Sequence, residues 1–186
     1  MGKKNSIGWS EIKKKLESFD REGLVALVKD LYNYSSDNKS FLSARFAEQG
    51  SNKAILEDYK ERITTQFFPK KGLGKLDLRE AKRAISEYSK ATSDTRGKLD
   101  LMLTYIETGV NFIQSYGDGP ESLYDSMLSI LQDSVKIFQS PEGVDLYLEF
   151  KHRLNILVWK AENTGYGFGD DVESLIAELK ISMGED

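Results

Sequence analysis

Apolar residues recur three and four positions apart along almost the whole chain, the spacing of one face of an α-helix. Trp9, Ile12, Leu16 and Phe19 form the first such face. Leu24, Leu27, Val28 and Leu31 form a stronger one, opened by Asp20 as an N-cap. Phe41, Leu42 and Phe46 predict a short helix after a turn at Ser35-Ser36-Asp37-Asn38. Ile55, Tyr59, Ile63 and Phe67 line the next helix, which Pro69 stops. Asp77-Leu78-Arg79-Glu80 has the form of a capping box ahead of Ala81, Ile85 and Tyr88. Residues 99–116 read as a long, largely buried helix ended by Gly117-Asp118-Gly119-Pro120, and a further helix runs from Glu121 through Phe138. Ser140 as N-cap, with Pro141 at the first helical position, opens a helix through Trp159. Asp170 caps a last one carrying Val172, Leu175, Ile176 and Leu179.

No stretch alternates with period two, so the pattern predicts an all-α fold of about eight helices with short connections. Such helices pack as one compact bundle or a short stack of antiparallel helix pairs, with residues 99–116 and 141–159 deepest. No repeat of fixed period and no Pro/Ser-rich linker divides the 186 residues. A single domain over 1–186 is expected, and 66–77 is the nearest thing to a subdomain boundary.

Composition narrows the chemistry. At 39% hydrophobic and 30% charged, the chain is not wholly disordered. The absence of cysteine excludes disulfides, zinc-thiolate sites and a cysteine nucleophile, and a single histidine excludes a His-rich metal cage. No apolar run approaches the roughly 20 residues that cross a bilayer. A cytoplasmic protein with no membrane partner is expected.

The net charge of -4 conceals a polarity. Residues 1–93 hold 19 basic and 13 acidic side chains, whereas 94–186 hold 7 and 17. The steepest excess lies in 60–83, where eight cations meet Glu61, Asp77 and Glu80. Within it Lys75, Arg79 and Lys82 fall on one helical face, with Arg83 beside them, and Lys70 and Lys71 extend the patch along the preceding loop. Cations so spaced suit backbone phosphates. The competing expectation is that the acidic half packs over them and neutralises them. Acids at Asp77 and Glu80 and a pI near 5.3 favour neutralisation.

Other motifs fall short. Gly72-Leu73-Gly74-Lys75 lacks the spacing and the hydroxyl of a phosphate loop. Glu149-x-x-His152 has the form of half a di-iron motif, but the second histidine does not exist. No Gly-x-Ser-x-Gly elbow is present. The residues therefore assign no catalytic group, metal or cofactor. Gly165-Tyr166-Gly167-Phe168-Gly169 is the most unusual loop. Tyr166 and Phe168 either contact a ligand or partner, or turn inward and pin a helix reversal.

Phe67-Phe68-Pro69-Lys70-Lys71-Gly72-Leu73-Gly74-Lys75-Leu76 running into Ala81-Lys82-Arg83-Ala84-Ile85 forms a signature. With the opening 24–32 segment, Leu99-Asp100-Leu101-Met102-Leu103-Thr104-Tyr105, Gly109-Val110 and Gly165-Tyr166-Gly167-Phe168, it resembles a family of bacterial proteins defined only as a domain of unknown function. The resemblance implies a bacterial, intracellular, mainly helical protein and supplies no substrate or catalytic residue. The leading expectation is a non-catalytic helical interaction protein acting through a protein partner or self-association. Its alternatives are nucleic-acid or polyanion binding through 60–83, and then a carboxylate-dependent enzyme.

Overall fold

A computed structural model describes residues 7–46, 52–72 and 76–185. These residues form nine α-helices and no strand. They are α1 (Trp9–Leu16), α2 (Arg21–Tyr34), α3 (Ser36–Arg45), α4 (Asn52–Phe67), α5 (Leu78–Thr92), α6 (Thr95–Tyr116), α7 (Glu121–Phe138), α8 (Val144–Ala161) and α9 (Phe168–Ser182). The chain divides into two compact units, 1–46 and 47–186. The 66–77 segment lies inside the second.

Side-chain caps set several boundaries. Asp20 accepts from the Gly23 amide at 2.7 Å, and Asp77 from the Glu80 amide at 3.0 Å, as the sequence suggested. Ser35 caps α3, so the expected turn at Ser35–Asn38 is instead the start of that helix. Asp94 accepts from the Gly97 amide at 3.0 Å and opens α6 four residues before the expected start. Gly117, at φ 85°, ends it in a left-handed cap.

Two expected starts are corrected. Helix α8 opens at Gly143 rather than at Ser140-Pro141, because the chain first makes a turn in which the Gly143 and Val144 amides both bond the Ser140 carbonyl. Helix α9 opens at Gly167 rather than Asp170. Gly167 adopts φ 69°, which reverses the chain and puts the buried Phe168 ring on the inner face of the helix's first turn.

In the second unit α6 packs against α4, α5, α7 and α8, and α9 packs against α7 and α8. Leu99, Leu103, Tyr105, Ile106 and Val110 of α6 are wholly enclosed. The next deepest helix is α7, with eight buried residues against five for α8. The expectation for 141–159 is corrected by its outer face, where Val144, Leu148, Ile156 and Trp159 are exposed. Tyr105 and Ser126 share a buried hydrogen bond of 2.7 Å, which satisfies both hydroxyls where α6 meets α7.

Candidate interaction surfaces

The first unit is built differently. Helices α2 and α3 pack together, and Asn38 Nδ2 donates to the Leu31 carbonyl at 2.7 Å across their junction. Yet α1 and α2 bury no side chain, and Ala44 is the sole buried residue among 7–46. On α2, Leu24, Val25, Val28, Leu31 and Tyr34 expose from 39% to 85% of their surface, and on α1 Trp9 and Ile12 are exposed. Of the stripe that reads in sequence as core-facing, Leu24, Val28 and Leu31 are therefore exposed and Leu27 is half-buried. A signal was present: residues 24–28 are five consecutive apolar positions, more than one buried stripe of a helix holds.

The basic stretch is resolved residue by residue. Lys70 pairs with Glu61 at 2.5 Å. Arg83 reaches Glu87 at 2.7 Å and Glu80 at 3.4 Å. Arg62 donates to both Glu80 and Glu87, at 2.8 and 2.9 Å, with its guanidinium over the Tyr59 ring. Burial pushes the Glu87 carboxyl up, but hydrogen bonds from Arg83 and Arg62 outweigh it and leave the carboxyl below its ordinary value. These partners all lie between residues 61 and 87. From the acidic half, Asp100 holds Lys60 at 2.9 Å. Lys71, Arg79 and Lys82 are exposed and have no ion pair among the described residues. Lys75 lies outside the described residues.

A half-buried charge cluster ties three helices together. Asp100 of α6 takes Lys60 of α4 on one oxygen and Arg153 of α8 on the other, at 2.9 and 2.5 Å. Arg153 also makes a two-pronged contact to Glu107, both bonds 2.9 Å, and lies over the Phe150 ring. Each charge has a fixed partner, so the cluster is structural in form. Sequence reasoning did not find it, because its contacting pairs are 40 to 53 residues apart. Arg96 pairs with Glu149, which removes the carboxylate of Glu149-x-x-His152, and His152 is exposed.

The glycine loop divides its two rings. Phe168 is 1% exposed and packs edge-on against Tyr124, whereas Tyr166 is 61% exposed at a left-handed φ of 57°. The expectation that both rings turn inward holds for Phe168 alone. Tyr124 donates to Asp118 at 2.9 Å, and burial together with that carboxylate pushes its hydroxyl up to about 12. Gly169 lets α9 approach the Ala161 carbonyl, since a Cβ there would lie 2.6 Å from that oxygen.

No helix of the described residues is long and apolar enough to cross a membrane. Set against protein-family models, curated proteins and solved structures, the chain matches none of them.

Proposed function

We propose that the protein is a non-catalytic helical interaction protein, an antiparallel bundle around α6 that self-associates through its N-terminal helices. One observation carries the reading: α1 and α2 bury no side chain. Most helical stability in proteins comes from packing an apolar face, and isolated helices shorter than about 12–15 residues are marginal in water. Helix α2, with 14 residues and an open apolar stripe, has the composition of a helix that needs a cover.

A second copy suits it. Leu24 and Leu31 stand one heptad apart with Leu27 between them, the spacing of a paired-helix seam. Antiparallel pairing sets Leu24 of one copy against Leu31 of the other. Arg21 and Lys29 balance Glu22 and Asp30, so two copies of α2 meet without net repulsion. Covering the exposed stripe twice removes on the order of 1,000 Å² from water, the lower range of a specific interface. Sedimentation equilibrium tests this. The wild-type chain is expected as a dimer and the Leu24→Asp/Leu31→Asp variant as a monomer, with Lys29→Glu unchanged. A wild-type monomer across the concentration range would contradict it.

Polyanion binding is a second reading, favoured by the open side chains of Lys71, Arg79 and Lys82. Its signature is a log–log salt slope of about -0.7 per phosphate of a single strand, or about -0.9 for a duplex. Charge reversal at Arg79 and Lys82 should abolish it, and no binding to RNA or DNA at low salt would end it.

A further inference from the structure

The rings of Phe68, the residue after α4, and Tyr116, the last residue of α6, stack with centroids 6.3 Å apart and planes 22° from parallel. Phe112 backs both, 6.1 Å from Phe68 and 4.6 Å from Tyr116. Phe67 is wholly buried and packs edge-on against Tyr105 and Phe112, which fixes the end of α4. With that ring held inside, its neighbour stays at the surface. Phe68 is 38% and Tyr116 56% exposed. The result is a fixed aromatic face, open to solvent, at the ends of two helices that pack on each other.

The chain after Phe68 returns to α4, because the Leu76 amide donates to the Gln66 carbonyl at 2.9 Å. That closure brings the start of α5, with Arg79, back to the end of α4. Lys71 follows Phe68 by three residues, which places its Cα within about 11 Å of the Phe68 Cα. Residues 68–82 carry five basic side chains against Asp77 and Glu80. Glu80 is held by Arg62 and Arg83, and Asp77 caps α5. Lys71 and Arg79 are exposed and have no ion pair among the described residues. Lys70 is paired with Glu61, but both side chains are exposed, so a phosphate competes for the lysine on equal terms. On the α6 side, Asp118 takes the Tyr124 hydroxyl and the Gly119 amide.

We infer that this surface binds single-stranded nucleic acid, with bases stacked on Phe68 and Tyr116 and phosphates on Lys70, Lys71 and Arg79. The inference rests on the polyanion reading above and adds the class of ligand to it. The open rings make the selection. A duplex keeps its bases stacked on one another and an inorganic polyphosphate has none, so neither has a free π-face for the two rings. An unpaired base does. Every base has such a face, so the contact is tolerant of sequence. All the residues involved belong to the second unit, so the site does not depend on self-association through α2.

The test uses the full chain and a labelled oligothymidine of about 12 nucleotides, an abasic strand of the same length and a duplex. Fluorescence anisotropy at low salt should show the oligothymidine binding at least tenfold more tightly than the abasic strand, which carries the same phosphates without bases. Phe68→Ala/Tyr116→Ala should weaken the oligothymidine at least tenfold and leave the duplex unchanged. Lys71→Glu/Arg79→Glu should weaken both and reduce the salt slope. The abasic comparison uses the wild-type chain, so it stands even if the alanine variant fails to fold. Equal affinity for the oligothymidine and the abasic strand overturns this inference and leaves the polyanion reading standing. No binding to any of the three overturns both. Polyglutamate that displaces the oligothymidine as well as an unlabelled strand does also overturns the inference and points to an acidic protein.

Discussion

A methyl group at Gly143 would lie 1.8 Å from the Ile137 carbonyl oxygen. Backbone cannot yield as a side chain can, so the turn between α7 and α8 tolerates no larger residue. Gly143→Ala should cost about 3 kcal/mol, read as a lowered urea midpoint with an unchanged slope. At Asp100 two effects oppose each other. Burial pushes the carboxyl up, but the hydrogen bonds from Lys60 and Arg153 prevail and hold it below its ordinary value of 3.8. A folded-state value below the unfolded one stabilises the fold above the unfolded value, and that contribution is lost as pH falls through the folded one. Stability should therefore decline as pH drops below about 4, and Asp100→Asn should flatten that part of the profile. Arg153→Met should cost about 2 kcal/mol, between the values for exposed and fully buried pairs.

Among the elements, caps were legible and depth was not. Asp20, Asp77 and Gly117 act locally, through amides a few residues away or through their own backbone angles, so the sequence carries them. Ser140-Pro141 satisfies the same local rule and still fails, because the Gly143 and Val144 amides close a turn on the Ser140 carbonyl before α8 begins. Periodicity shows that a helix has an apolar face but not what covers it. The stripes of α2 and α7 look alike in sequence, yet Leu131 is 0% exposed and Leu24 is 39% exposed. Leu131→Ala should cost about 3 kcal/mol, whereas Leu24→Ala should move the melting of the second unit by less than about 0.5 kcal/mol. Thermal denaturation of the two variants checks the contrast.

For the whole molecule, the charge polarity of the sequence persists alongside local pairing in its basic half. Glu61, Glu80 and Glu87 pair with Lys70, Arg62 and Arg83 there, and the proposed α2 contact does not draw on the charge difference between the halves. The proposed association through α2 is apolar and should persist in 0.5 M salt, where contacts between exposed charges are screened. The most direct measurement is amide hydrogen exchange of α2 across a range of protein concentrations. The account predicts that the amides of Leu24, Val28 and Leu31 exchange fast when dilute and slow together as the dimer fills, while those at the centre of α6 stay protected throughout. Exchange of α2 that is the same at every concentration, in a chain that remains monomeric, would contradict it.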